Sequence, residues 1–205
     1  MALPFEFERF EKFEAFHFHH PVELNLPENP LAIAANMASL ESGETYIIKL
    51  FDDGTFWQTV SIADFAGIKN KFDMLNIAQY HGWPIKVEDM ENYNQELVDL
   101  VADLEAGVGK TVNGHMFIGF ENQGSFGWHK DEGHVMCYMI SGTKTMETES
   151  GTYTLEDGDW LFMPEGLRHC ATNVEDTVMI SFGTGSIKPR TKTQMLWGNS
   201  PSLIG

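Results

Sequence analysis

Apolar and polar residues alternate with two different periods along this chain. From Asp89 to Gly109 the period is helical: Tyr93, Leu97, Leu100, Val101 and Leu104 recur at three- and four-residue steps with acidic residues between them. The spacing predicts an amphipathic helix lying by one apolar stripe on its neighbour, closed by Gly107 and Gly109. Beyond it the period shortens to that of strands, at His115–Phe120, through Val135–Ile140 to Met146, and at Thr152–Leu155, Trp160–Met163 and Val178–Phe182, with glycine-rich turns between. Upstream, Thr45–Leu50 and Thr55–Ser61 read as strands around an Asp52-Asp53-Gly54 hairpin turn. Pro21 to Pro30 reads as a loop, and Leu31–Leu40 as a short helix ended by Gly43. Residues 5–20 carry two patterns at once. Phe10, Phe13 and Phe16 fit a helical stripe, while Phe5 with Phe7 and Phe16 with Phe18 fit a strand. Many short strands with few helices predict a mainly β, jelly-roll barrel. We expect one domain over 1–205, with strands and helices of 1–112 packed on a barrel core at 113–185, followed by a tail at 186–205.

Composition narrows the function classes. With 205 residues, 42% of them hydrophobic and 15 Phe and 5 Trp among them, the chain can bury a core without staples. The net charge of -17 disfavours direct binding to free nucleic acid, whose affinity rests on Lys and Arg neutralising phosphates. Ile187-Lys-Pro-Arg-Thr-Lys192 is a local basic run and reads as a solvated tail. An acidic surface suits a basic protein or peptide better. Only Cys137 and Cys170 occur, no apolar run is long enough to span a membrane, and the start carries no basic-then-apolar block. These features predict a reduced, cytoplasmic protein without membrane association, and a homodimer is compatible with them. Gly109-Lys110-Thr111 imitates the end of a phosphate-binding loop, but Leu104 stands where its first glycine belongs and a helix precedes it.

Two motifs carry the chemistry. Gly158, five residues, Pro164, one residue, Gly166, two residues, His169, three residues and Asn173 form a turn, a strand and a second turn that delivers a histidine from a rigid strand end. Upstream, Gly124-Ser-Phe-Gly-Trp-His129-Lys-Asp131 precedes an apolar strand that reaches Gly142. If the segment is extended, His129 and Asp131 share one face and Lys130 takes the other. Two imidazoles and one carboxylate make a facial triad with open positions, a set that favours Fe(II) and oxygen chemistry. The His17, His19, His20 cluster reads as surface, because no cysteine or carboxylate stands at metal-site spacing from it.

Over about residues 113 to 185 these motifs resemble the cupins, double-stranded β-helix proteins, and among them the JmjC-like Fe(II)- and 2-oxoglutarate-dependent oxygenases. Ordinary cupins place a second histidine where Asp131 stands and a glutamate near Val135-Met136, which offers no ligand here; Gly142 keeps its place. The resemblance implies a hydroxylase with metal ligands and catalytic centre at His129, Asp131 and His169, and with dioxygen and 2-oxoglutarate as cosubstrates. It also implies a lysine fifteen residues after the first ligand to pair the distal carboxylate of 2-oxoglutarate, which is Lys144. Arg168 competes for that role, but as the strand neighbour of His169 it points to the opposite face. A neutral donor is expected beside the cation from Ser181, Tyr80 or Asn122, and Ser181 is taken as the cofactor-binding residue. Trp128, Tyr138, Met139 and Phe162 are candidates for the apolar wall of the pocket. The substrate expected is a protein or peptide side chain. Two alternatives stay open: a metal-dependent cupin enzyme acting on a small molecule without 2-oxoglutarate (dioxygenase or isomerase), and a non-catalytic cupin binding module.

Overall fold

The computed structural model describes residues 14–37, 45–50, 57–61, 71–122 and 127–185. Among these are eleven strands and three α-helices: β1 (Phe16–His19), α1 (Pro30–Met37), β2 (Thr45–Leu50), β3 (Trp57–Ser61), α2 (Lys71–Tyr80), β4 (Ile85–Val87), α3 (Gln95–Val108), β5 (Val112–Gly119), β6 (Val135–Ser141), β7 (Lys144–Thr148), β8 (Gly151–Leu155), β9 (Asp159–Met163), β10 (His169–Asn173) and β11 (Thr177–Thr184). Eight strands form one sheet in the order β1-β9-β6-β11-β5-β4-β2-β3, and β10-β7-β8 form a second. Every strand pairing is antiparallel. This is the mainly β, double-stranded β-helix architecture that the alternation predicts.

Alternation along the strands of the large sheet divides two cores. Met136, Tyr138, Trp160, Phe162, Ile180 and Phe182 belong to the layer shared with Leu97, Leu100, Val101 and Leu104 of α3. Their strand neighbours Val135, Cys137, Met139, Leu161, Met163 and Met179 instead meet Met146, Leu155 and Ala171 of the small sheet. The second cluster is the barrel interior.

Several boundaries differ from the sequence reading. The helix begins at Gln95 rather than near Asp89, because Asp89 is left-handed (φ 58) and Met90–Asn92 make a single 3-10 turn. Asn94 caps the helix by accepting from Leu97 N at 3.0 Å. Gly107 lies inside it, and Gly109 ends it at φ 64. Helix α2 and strand β4 were not anticipated. Asp52-Asp53-Gly54 lies outside the described residues, but β2 and β3 pair antiparallel on either side of it. Of the two patterns in residues 5–20, the strand holds for Phe16–His19; Phe5, Phe7, Phe10 and Phe13 lie outside the described residues. The tail 186–205 with its basic run lies outside them as well. Strand β6 does not continue to Met146: Gly142 turns the chain at φ +84, where a Cβ would lie 2.1 Å from Asp176 O. That turn sends Lys144 into the opposite sheet. Among the described residues no helix is long and apolar enough to cross a membrane.

Candidate metal centre

His169 opens β10 and is buried, with a relative exposure of 4%. Before it, Gly158 (φ 82) starts β9 and Gly166 (φ 76) turns the chain after Pro164, as the motif spacing predicts. His129 reaches the same place differently. The segment from 127 to 134 is not a strand; His129 alone forms an antiparallel bridge to His169, with reciprocal backbone hydrogen bonds of 2.9 and 3.0 Å. Asp131 is therefore brought in by a loop, not by strand alternation, and Asp131 O accepts from Gly166 N at 3.1 Å. Gly133 lets this loop close, because a Cβ there would lie 1.4 Å from Thr184 O.

The three side chains meet. Their ligand atoms all lie within 4.8 Å of one another, with Asp131 Oδ2 3.3 Å from His169 Nε2 and 4.0 Å from His129 Nε2. The two rings are 4.3 Å apart at their centroids. Each histidine donates from Nδ1 to a carbonyl two residues back, His129 to Gly127 O at 2.8 Å and His169 to Leu167 O at 3.0 Å. Those bonds fix the tautomer and leave both Nε2 lone pairs facing the carboxylate. Burial, with the charge of His129 added, lowers the pKa of His169, so the imidazole is held in its neutral, ligating form. The donor set and its arrangement fit a divalent metal ion.

Lys144 opens β7 and is fully buried; its Nζ has no hydrogen-bond partner among the described residues. Burial pushes its pKa down to about 8, partly opposed by the nearby Cys137. Lys144, Met146 and Thr148 share the inner face of the small sheet, across from Asn173, Ala171 and His169 respectively. Arg168 is on the outside, its guanidinium 5.3 Å from the Trp128 ring centre, as strand alternation requires. Ser181 faces the interior opposite Cys137, to which it hydrogen-bonds. Tyr80 is 86% exposed at the end of α2, and Asn122 is exposed with its side chain on Glu121, so neither reaches the interior. Of the four wall candidates only Met139 lines the interior: Tyr138 and Phe162 face the helical layer, and Trp128 is exposed.

Two groups differ from the expectation or escaped it. The His17–His19 pair has a carboxylate partner after all: Asp159, 140 residues away on the adjacent strand, takes His17 Nε2 at 3.1 Å and His19 Nδ1 at 2.9 Å. His115, read only as the start of a barrel strand, points into the interior beside Ser181. Strand alternation could have given its face, but its neighbours depend on a pairing register that local sequence does not carry.

Two sheets closed face to face, with a His-x-Asp and a distant histidine gathered at one end, define a cupin-type barrel with a candidate metal centre. Residues 116–182 match the family model described as "Cupin domain", and the barrel has the cupin fold. No curated protein sequence matches it. Among solved structures, the Escherichia coli ribosomal oxygenase YcfD in complex with cobalt and succinic acid is similar at a TM-score of 0.68 and 15% identity, covering 92% of this chain and 53% of that one. YcfD in complex with cobalt and 2-oxoglutarate gives 0.67 and 15%, covering 92% and 54%. A further YcfD crystal structure gives 0.61 and 16%, covering 84% and 49%. The chain thus spans about half the length of these structures, and at such identities the likeness is one of fold.

Proposed function

We propose that this protein is an Fe(II)- and 2-oxoglutarate-dependent dioxygenase that hydroxylates a C–H bond on a protein side chain. The observation that carries this reading is the combination of a three-ligand group with a buried ammonium that has no hydrogen-bond partner among the described residues. His129, His169 and Asp131 would hold the metal through two Nε2 atoms and one carboxylate oxygen. Bound Fe(II) with open positions supplies dioxygen activation coupled to oxidative decarboxylation of the 2-oxo acid. The rest falls to this chain's own residues. The Gly127 and Leu167 carbonyls hold the two imidazoles in the ligating tautomer. Lys144 binds the distal carboxylate, because a dianion inside a dry barrel needs a fixed cation. Its strand position lies opposite Asn173, four residues along β10 from His169, roughly 13 Å at strand rise. That span leaves room for a short diacid between a metal and a lysine side chain. Met139, Met146 and Met179 keep water from the interior.

A protein substrate is supported by the charge of -17, which favours a basic partner, and by the fold shared with a protein described as a ribosomal oxygenase. Only two cysteines, both free, suit a cytoplasmic setting. The test is anaerobic calorimetry with Mn(II), followed by succinate release from 2-oxoglutarate with Fe(II). His129→Ala, Asp131→Ala and His169→Ala should each abolish metal binding and turnover while the fold stays intact. Lys144→Ala should leave Mn(II) affinity near wild type and weaken 2-oxoglutarate on the order of thirty-fold or more. An Arg168→Ala defect with a normal Lys144→Ala curve would reassign the cation, and wild-type protein that releases no succinate would sink the oxygenase reading.

A further inference from the structure

The chain ahead of His169 closes a tight turn, Pro164-Glu165-Gly166-Leu167, in which Leu167 N donates to Pro164 O at 3.1 Å. Gly166, its third residue, has the positive φ of 76 that favours glycine there. Such a turn leaves the amides of its two central residues without a partner inside it. Both are taken by the loop that carries Asp131. Gly166 N donates to Asp131 O at 3.1 Å, and Glu165 N donates to His134 Nδ1 at 3.0 Å. The turn is also tied to its own ligand, since Leu167 O accepts from His169 Nδ1 at 3.0 Å.

His134 is itself anchored. His134 N donates to Thr184 Oγ1 at 2.9 Å, and Thr184 N at the end of β11 donates back to His134 O at 2.8 Å. The ring is buried and sits against Phe162, 5.5 Å between ring centres. A backbone N–H can only donate, so Nδ1 accepts and the neutral ring carries its proton on Nε2. Burial, with the charge of Lys110 added, outweighs Glu165 and lowers the pKa, which keeps that lone pair available near neutral pH. His134 stands outside the group of three ligand side chains, and its Nδ1 is engaged by the turn.

We propose that His134 is a positioning residue for the metal centre, accepting from Glu165 N–H so that the Asp131 loop and the His169 turn move as one piece. This rests on the three-ligand reading above and not on the identity of the cosubstrate. His129 and His169 are joined by their reciprocal backbone bonds, whereas Asp131 lies in a loop outside any strand. The two turn amides join that loop to the His169 side. Ligands set in place before the ion arrives need no ordering when it binds. Glu165 is exposed, so water can replace His134 at its amide. Loss of the acceptor should therefore free the turn without unfolding the barrel.

The experiment uses the full chain as wild type, His134→Phe and His134→Asn. Asparagine carries its side-chain oxygen where histidine carries Nδ1, whereas phenylalanine fills the same space without an acceptor. Amide hydrogen exchange is followed by NMR in the metal-free protein, and Mn(II) is then titrated calorimetrically. The Glu165 and Gly166 amides should exchange about tenfold faster in His134→Phe than in wild type, a local opening of the turn. Mn(II) affinity should fall about tenfold in His134→Phe, near the lower end for groups behind metal ligands, and return to within about twofold of wild type in His134→Asn. Exchange in β6 and β11 should stay the same throughout, which separates positioning from loss of fold. If His134→Phe opens those strands as well, His134→Asn decides: recovered affinity supports the role, and an equal loss ends it. Wild type that binds no Mn(II) would remove the metal centre and this inference with it. Tight wild-type binding that His134→Phe leaves unchanged would overturn only the role of His134.

Discussion

The two faces of the large sheet are made from alternate residues of the same strands, yet they are completed in opposite ways. Toward the helices the side chains are large and aromatic: Trp160 lies 4.6 Å from Tyr138 and 5.9 Å from Phe182, ring centre to ring centre. The polar atoms of those rings are partnered, Trp160 Nε1 on His20 O at 3.0 Å and the Tyr138 hydroxyl between the Val22 N–H and C=O. Toward the barrel interior the side chains are methionines, leucines, a valine, an alanine and a cysteine, and Lys144 Nζ and His115 Nδ1 have no hydrogen-bond partner among the described residues. Unpaired polar groups in a core are costly, and they persist where something other than stability requires them. The contrast teaches where to look: one face holds the fold together through large aromatic contacts, and the other buries a lysine ammonium, the group on which the proposed function draws.

Substitutions should separate the two faces. Trp160→Ala has the largest expected effect on stability. It empties a fully buried site and strands the His20 carbonyl, so unfolding free energy should fall by about 3–5 kcal/mol in chemical denaturation. Mn(II) affinity of the folded fraction should be unchanged; a specific loss of metal binding would mean that the faces are coupled. Lys144→Met should act in the opposite direction. Exchanging a buried, unpartnered ammonium for an apolar chain of similar length should stabilise the ligand-free protein by about 1–3 kcal/mol while abolishing 2-oxoglutarate binding. The pH profile checks the cause. With a folded pKa of about 8 against an ordinary 10.5, the unfolded chain binds more protons between these values, so wild type should gain stability as pH rises through that window and Lys144→Met should not.

The smallest effect is expected at the sheet edge. Burial pushes the Asp159 carboxyl up, but hydrogen bonds from Glu156 N–H, His19 and His17 outweigh it and hold the pKa below the usual carboxylate value. A carboxyl held low contributes stability above its unfolded pKa and loses it as pH falls through the folded one. The two histidine side chains are 35% and 61% exposed, so the contribution is discounted for solvent. Asp159→Asn should cost about 1 kcal/mol near neutral pH, with the gap closing in acid. A gap that persists unchanged at pH 3 would mean that the charge is not its source.

Sequence carried the barrel because strand alternation and the glycine and proline turns are local. It carried the meeting of His129, Asp131 and His169 because motif spacing encodes the turn that presents His169, and it singled out Lys144, which is buried, because its position is counted from His129. What it did not carry depends on register or distance. The partnership of His17 and His19 with Asp159 spans 140 residues. Asp131 arrives by a loop stitched to Gly166, so the alternation argument reached the right neighbours through the wrong local geometry. Helix α2 follows residues 62–70, which lie outside the described structure, and carries no strong apolar stripe to announce it.

Strand β1 has a consequence for handling the protein. It occupies the outermost place of the large sheet, and the strand that it covers, β9, reads Asp-Trp-Leu-Phe-Met with every residue buried. Without those four residues of β1, the amide and carbonyl groups of an apolar strand would become a free edge, the kind of template on which chains join to one another. The segment Phe16–His19 is then a guard against aggregation as much as a part of the fold, and a boundary drawn after His19 would leave that apolar edge open to self-association.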